Sequence, residues 1–186
     1  MVEGNIPAQG WTTMGLGQLE QPINAAKTAR KYLFIWDKNG NVATFMNYKA
    51  KLCDLGPEII KVALGRQDNA AVAEVIRQAW IIGQREGETT CFNLDKAQPN
   101  FADYNIDGTF TTEFFNYEWM AQEANHKPFV REPENCGIGG LNQGHYIRSE
   151  KFGMVICCSY TDEDSVNALT ASIPHFDTDF HHVIME

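Results

Sequence analysis

Two short stretches of this sequence are apolar at almost every position. Residues 32–36 read YLFIW, and residues 153–160 read GMVICCSY. A strand with one face in water alternates apolar and polar side chains, whereas a continuous apolar run of strand length indicates burial on both faces. Strands of that kind occur in parallel sheets that carry helices on each side. The two runs therefore predict a chain folded around a covered, mostly parallel sheet.

Helical patterns alternate with the predicted strands. Residues 69–86 place apolar side chains at the i, i+3, i+4 and i+7 spacing of one buried helix face, between Asp68 as a capping residue and Gly87 as a stop. Further helices are predicted over residues 22–30, 57–64, 114–125 and 164–172, and further strands over 89–94 and 182–185. This alternation predicts an α/β fold, a three-layer sandwich with a mostly parallel central sheet.

Length, charge and cysteine content narrow the class of protein. The 186 residues, 44% of them hydrophobic, are enough for one α/β domain over residues 22–186 with a sizeable core. The formal net charge of −9 disfavours general binding to nucleic acid. The five cysteines lack CxxC spacing, which favours a reducing compartment, and no apolar run approaches the length of a membrane span. We expect a cytoplasmic protein with protein partners rather than nucleic acid or membrane.

Residues 1–21 differ in composition and periodicity from the remainder of the chain. They are rich in Gly and Gln and show neither helical nor strand periodicity, so they are predicted to form an extended arm. Trp11, Met14, Leu16 and Leu19 are the apolar side chains of this arm that could anchor it to a protein partner. The alternative is that the arm packs on its own domain, with Trp11 in a surface groove.

The sequence contains no recognisable phosphate-binding motif. The turn Asp37–Asn41 follows a buried strand, the position at which open α/β sheets bind ligands, but a P-loop requires GxxxxGK[S/T] and only Gly40 is present. The glycine-rich stretch 136–144 has neither GxGxxG spacing nor a preceding strand. We therefore interpret Asn39-Gly40 as a tight turn and expect no nucleotide cofactor.

A cation-binding loop is suggested by Asp103, Asn105 and Asp107, which are followed by Gly108 at the sixth position. The twelfth position of a calcium loop should be a bidentate Glu, and here it is Phe114. A solvated turn is the favoured interpretation, and cation binding is the alternative.

The segment 175–181, HFDTDFH, alternates His and Asp with other residues at a spacing of two. On a strand, His175, Asp177, Asp179 and His181 would all project from one face and could hold a transition metal. Pro174 and the aspartates are poor strand formers, and a polar loop with its phenylalanines turned inward is the competing interpretation. No metal site is assigned.

Three segments carry a resemblance to a known family: VATF at residues 42–45 with Tyr48, PEIIKVALG at 57–65, and GETTCFNLD at 87–95. They resemble the C-terminal α/β domain of ciliary IQ-motif and ankyrin-repeat proteins, a domain similar to dynein-type AAA modules that lack the P-loop. The resemblance implies a degenerate P-loop-NTPase-like fold and an axonemal or cytoskeletal setting. Residues 68–86 separate segments that lie closer together in that family, and no ankyrin repeat or IQ motif accompanies them.

Two classes of function are consistent with these features. The first is a noncatalytic structural or protein-interaction module of the cytoskeleton, associated with microtubules or the axoneme of a cilium, without catalytic residues or a cofactor. The second is a small cytosolic α/β enzyme or ligand-binding protein, dependent on a divalent ion, with Asp37, Asn39, Asn93 and Asp95 at adjacent strand ends. Asp95 is its best carboxylate for holding a metal or acting as a general base.

Overall fold

Six parallel strands form one sheet at the centre of the protein. The computed structural model describes residues 11–186. The strands are β1 (Thr12–Met14), β2 (Tyr32–Asp37), β3 (Lys51–Asp54), β4 (Thr89–Asp95), β5 (Gly153–Cys158) and β6 (Phe180–Met185). Across the sheet their order is β1-β6-β2-β5-β4-β3, and every neighbouring pair is parallel. The predicted α/β fold with a parallel sheet is confirmed.

Helices flank both faces of this sheet. They are α1 (Glu20–Thr28), α2 (Val42–Lys49), α3 (Gly56–Ala63), α4 (Asn69–Glu86), α5 (Tyr117–Ala121), α6 (Glu123–His126), α7 (Glu163–Ser172) and α8 (Phe176–Asp179). The core cluster on one face includes side chains of α1 and α2, and the cluster on the other face includes those of α3, α4 and α7. This arrangement is consistent with a three-layer sandwich.

Strand β2 supplies side chains to both of these clusters. Tyr32, Phe34 and Trp36 pack on the α4 side, whereas Leu33 and Ile35 pack on the α1 side. All five side chains are buried, and full burial of an apolar side chain contributes about 1.5–3 kcal/mol. Burial on both faces explains why the strand could be identified as a continuous apolar run.

Helix α4 begins and ends where the sequence predicts. The Asp68 carboxylate accepts a hydrogen bond from the Ala71 amide at 3.0 Å and so satisfies one of the unpaired amides of the first turn. Gly87 adopts φ 71°, the left-handed conformation that ends many helices. Trp80 of this helix is fully buried between the sheet and the aromatic side chains of residues 92–152.

The prediction of one helix over residues 114–125 is wrong, because three short pieces occupy this region. A 3-10 turn (Thr112–Phe115) is followed by α5 and α6. The Asn116 side chain accepts from the Trp119 amide at 3.0 Å and starts α5 as a new helix, and Gln122 is extended between α5 and α6. Side-chain capping and the burial of Phe114 and Phe115 have overridden helix propensity here.

The described part of the predicted N-terminal arm is folded onto the sheet. Residues 1–10 lie outside the described residues. Thr12–Met14 form β1 and pair with β6, and α1 begins at Glu20, within the range expected to be extended. Leu19 has no exposed surface and belongs to the core. The extended arm is therefore corrected for residues 11–21, because its apolar side chains pack against this domain.

Candidate functional site

The turn after β2 is organised by one buried carboxylate. Asp37 is 2% exposed and lies at the carboxyl end of the strand. Its Oδ1 accepts from the amides of Gly40 at 3.0 Å and Asn39 at 3.3 Å, and its Oδ2 accepts from the Val42 amide at 2.7 Å. Gly40 adopts φ 70°, which agrees with the tight turn predicted for Asn39-Gly40.

These amides point to the place where a phosphate binds in many α/β proteins. Amides at the start of a helix that follows a buried strand form an anion-binding site in nucleotide-binding folds. Here the three amides already donate to Asp37, and the neighbouring Lys38 ammonium pairs with the Glu186 carboxylate at 2.6 Å. The amide donors of the turn are therefore satisfied by the protein's own carboxylate.

The predicted strand-end site is not assembled as the sequence suggested. Strand β5 lies between β2 and β4, so Asp37 and Asp95 belong to strands separated by two inter-strand spacings, about 10 Å. The expectation that Asp37, Asn39, Asn93 and Asp95 occupy adjacent strand ends is therefore corrected. Strand order depends on long-range contacts that no local pattern encodes.

The polar groups at the end of β4 bond mainly to β3 and to each other. The Asn93 side-chain amide donates to the Asp54 carboxylate at 2.9 Å, and the Asn93 side-chain oxygen accepts from the Asp95 amide at 3.1 Å. Asp95 itself is exposed and adopts φ 50°, beside an irregularity in the pairing of β4 with β5. A positive φ is uncommon for a residue other than glycine.

Three polar side chains of the two candidate cation segments, those of Asp103, Asn105 and Asp179, bond within the fold. The Asn105 side chain accepts from the Thr112 amide at 2.8 Å, and the Asp103 carboxylate accepts from the Asn100 side chain at 3.0 Å. The alternating row at residues 175–181 is not a strand, because Phe176–Asp179 forms α8. Asp179 instead accepts from the Tyr117 amide at 2.9 Å. Within residues 11–186, no group of three His, Cys, Asp or Glu is placed to hold a metal ion.

The four side chains predicted to bind a partner contact this domain. The Trp11 ring stacks on the His182 ring with centroids 5.1 Å apart and also contacts Phe34. Met14 and Leu16 pack partly buried against the α1 side of the core, and Leu19 is fully buried. Partner binding through Trp11, Met14 and Leu16 stays a prediction, whereas Leu19 presents no surface to a partner.

The outer edge of β3 presents main-chain groups that no strand within residues 11–186 uses. Strand β3 pairs with β4, and the Leu55 amide that follows it donates to the Asn93 carbonyl at 2.9 Å. Because main-chain groups alternate in direction along a strand, those of Cys53 also face β4. The amide and carbonyl groups of Leu52 and Asp54 therefore face away from the sheet.

Exposed apolar side chains lie on the helices to either side of this edge. Helix α2 covers the same face of the sheet as Leu52, and its Tyr48 side chain is 83% exposed. Helix α3 covers the opposite face, to which Cys53 belongs. Its Ile60 side chain is 51% exposed, and Leu64, directly after the helix, is 59% exposed. We call Leu52, Asp54, Tyr48, Ile60 and Leu64 the β3-edge surface. Sequence reasoning missed it, because it overlooked the four-residue strand KLCD.

Burial makes the thiols of Cys53 and Cys158 poor nucleophiles. Burial raises the pKa of Cys53 to about 12, and the pKa of Cys158 is raised further for the same reason. The Sγ atoms of Cys91 and Cys157 are 3.6 Å apart in the core. These cysteines therefore act as packing groups at neutral pH, in agreement with the interpretation from sequence for Cys157 and Cys158.

Comparison of the chain with protein-family models, curated proteins and solved structures finds no match. No helix within residues 11–186 combines the length and the apolar character needed to cross a membrane.

Proposed function

We propose that this protein is a noncatalytic protein-interaction module that binds an extended segment of a partner along β3. The β3-edge surface carries the proposal, because it combines outward main-chain groups of β3 with exposed apolar side chains on the helices that cover the two faces of the sheet. Addition of a peptide strand to a sheet edge is a recurrent mode of protein recognition.

The geometry of this edge specifies the chemistry of the partner segment. Leu52 and Asp54 supply two amides and two carbonyls to a new strand, which gives affinity without regard to sequence. Alternate side chains of the added strand point to opposite faces. One set would lie on the side of the sheet covered by α2, which carries the exposed Tyr48, and the other on the side covered by α3, which carries the exposed Ile60 and is followed by the exposed Leu64. The expected partner is an extended segment with apolar residues on both faces.

The turn at Asp37 supports a role without nucleotide chemistry. Its amides donate to a carboxylate of the same chain, so a bound phosphate would have to displace Asp37 and leave that carboxylate buried beside a second anion.

Selection of binding peptides from a random display library tests this function directly. Ile60→Glu and Leu64→Glu should abolish binding of the selected peptides, because each places a charge in the apolar contact. Ile138→Glu and Leu141→Glu are matched controls, since these two side chains are 66% and 67% exposed elsewhere and should leave binding unchanged.

Amide hydrogen exchange tests whether the peptide binds at the outer edge of β3. A bound peptide should slow exchange of the outward Leu52 and Asp54 amides, while the Cys53 amide, already bonded to β4, should change little. Peptides that bind equally well to Ile60→Glu, or that protect other amides instead, would contradict the proposal.

We further propose that the protein works in an axonemal or cytoskeletal setting. Its support is the resemblance of segments within residues 42–95 to the α/β domain of ciliary IQ-motif and ankyrin-repeat proteins. Sedimentation with purified microtubules tests it: the protein should pellet with them, and Leu64→Glu should reduce the pelleted fraction while Leu141→Glu should not. Absence of pelleting would remove the cytoskeletal setting and leave peptide binding to be judged separately.

A second candidate function is binding of a divalent cation at the end of β4. It is favoured by Asp95, an exposed carboxylate held at φ 50°. Addition of magnesium or calcium would then raise the thermal midpoint of the native protein and not that of Asp95→Asn, a substitution that tolerates the same backbone conformation. An equal response of both proteins would exclude this candidate.

A further inference from the structure

The two ends of strand β3 carry opposite charges. Lys51 is its first residue and the exposed Asp54 is its last, with Leu52 and Cys53 between them. Neither charged side chain forms an ion pair within residues 11–186. The Asp54 carboxylate accepts only from the neutral Asn93 side chain, at 2.9 Å. The edge that a partner strand would join therefore has an uncompensated charge at each end.

The carboxylate of Glu86 lies within electrostatic range of Lys51 but has other partners. It bonds to the Arg85 guanidinium at 2.7 Å and accepts from the Gly139 amide at 2.9 Å. Lys51 itself makes no side-chain hydrogen bond among the described residues. Its ammonium is therefore available to a carboxylate of a strand added beside β3.

The spacing of these charges specifies the added strand. Residues directly opposite each other on two antiparallel strands have Cβ atoms about 4.5–5.5 Å apart on the same face, where opposite charges stabilise and like charges destabilise the pair. The residues opposite Lys51 and Asp54 are separated by the two residues that lie opposite Leu52 and Cys53. An acidic residue suits the first of these positions and a basic residue suits the last.

A second copy of β3 cannot supply this arrangement. In an antiparallel ladder, residues whose main-chain groups point toward the partner lie opposite residues that do the same. These are Leu52 and Asp54 in each copy. Every register that pairs them places Lys51 opposite an odd-numbered residue, and so never opposite Asp54.

Residues 1–10 are also poorly placed to cover this edge. They precede β1, which lies at the opposite edge of the sheet. A strand added beyond β3 would be six inter-strand spacings, about 29 Å, from β1. An extended chain spans about 3.3 Å per residue, so about nine residues would be needed to reach it and too few would remain to form a strand. The partner segment therefore comes from another protein.

We propose that this segment is an antiparallel strand with the residue order basic, apolar, apolar, acidic. The inference rests on the proposed function and specifies its partner. The basic residue lies opposite Asp54 and the acidic residue opposite Lys51, while the two apolar residues lie opposite Leu52 and Cys53 on the two faces. The direction is antiparallel because that ladder is slightly more stable per residue than a parallel one, in which the order would be reversed.

Titration of the full chain with designed peptides, followed by nuclear magnetic resonance, tests this specificity. The peptides have blocked ends and identical Ser-Thr flanks, and their centres are Lys-Val-Val-Glu, Glu-Val-Val-Lys, Lys-Val-Val-Lys or Glu-Val-Val-Glu. Shifts of the Leu52 and Asp54 amide signals report binding at the edge. The Kd of Lys-Val-Val-Glu should be the lowest, about threefold to tenfold below those of Lys-Val-Val-Lys and Glu-Val-Val-Glu, each of which has one like-charge pair.

Reversal of one charge on the protein should change the preferred peptide. Lys51→Glu should bind Lys-Val-Val-Lys most tightly, because both ends of β3 are then acidic. Lys127→Glu is the matched control: it makes the same change in net charge at an exposed pair on α6 and should keep the native ranking. Circular dichroism and the thermal midpoint of each variant check that the fold is retained.

The outcomes separate this inference from the function on which it rests. Equal affinities for all the peptides, with shifts at Leu52 and Asp54, would overturn the charge order and leave strand addition in place. Tighter binding of Glu-Val-Val-Lys than of Lys-Val-Val-Glu would overturn the antiparallel direction, and an unchanged ranking in Lys51→Glu would overturn the charge pairing. Absence of shifts at Leu52 and Asp54 with every peptide would count against the proposed function as well.

Discussion

Replacement of Asp37 tests whether one carboxylate holds the turn after β2. Asp37→Ala removes the acceptor of two well-placed amide bonds, at 2.7 and 3.0 Å, and of a longer one at 3.3 Å. A hydrogen bond to a charged group contributes about 1.5–3 kcal/mol. Counting only the two short bonds, near the lower limit because water can reach the turn, gives an expected loss of about 3–4 kcal/mol.

Asp37→Asn keeps one oxygen acceptor but loses the charge, so its expected cost is smaller, about 1–2 kcal/mol. Urea unfolding followed by circular dichroism measures these losses. In a domain of this size, each kcal/mol corresponds to about 2–4 °C in the thermal midpoint. Asp68→Ala is the matched control, because the exposed Asp68 accepts one amide bond at a helix start and its loss should cost about 1 kcal/mol.

The same variant tests whether the turn is an anion site occupied by the protein itself. If the freed amides of Gly40 and Val42 can bind an external anion, phosphate or sulfate should restore part of the stability of Asp37→Ala beyond their effect on Asp68→Ala. A loss in Asp37→Ala no larger than that in Asp68→Ala would refute the assigned role of the carboxylate. Equal rescue of both variants by phosphate would refute the anion-site interpretation.

Three further predictions concern the paired charges and the titratable core. Glu134→Gln should cost about 1.5–3 kcal/mol, because Arg77 loses one of its two carboxylate partners and keeps Glu74 and the Phe129 carbonyl, whereas Glu123→Gln at an exposed pair should cost much less in the same urea assay. Burial lowers the pKa of His126 from 6.5. The free energy of unfolding that the neutral ring contributes is therefore fully present above pH 6.5 and should fall as the pH drops through the lowered pKa. His126→Gln should flatten this dependence in unfolding curves measured across that pH range. The partly buried Cys53, whose pKa burial raises to about 12, should react slowly with thiol reagents at neutral pH until urea unfolds the protein; fast labelling in the native state would contradict the raised pKa.

The elements that the sequence predicts well are those whose signals are local. Helix α4 carries its own cap at Asp68 and its own stop at Gly87, and both are present in the structure. Strand β2 is buried on both faces and therefore reads as an unbroken apolar run. Each of these signals lies within about twenty residues of the chain, so none requires knowledge of distant contacts.

The edge strands β1 and β3 and the order of the strands could not be predicted, because no local sequence pattern encodes them. Strands β1 and β3 have only three and four residues and pair on one side among the described residues, so partial exposure replaces the continuous apolar pattern. The position of β5 between β2 and β4 separated Asp37 from Asp95, and no spacing in the sequence reports it. The expectation that these residues occupy adjacent strand ends was wrong for this reason.

The two ends of the sheet differ in a way that bears on where a ligand could bind. At the carboxyl end, where α/β proteins commonly hold ligands, Asp37 satisfies the turn amides from within and Asn93 bonds to Asp54. Arg148 lies before the first residue of β5, and the Tyr117 ring that it contacts packs on Tyr32, the first residue of β2. The buried guanidinium of Arg148, two of whose nitrogen atoms have no hydrogen-bond partner among residues 11–186, therefore lies at the amino end of the sheet.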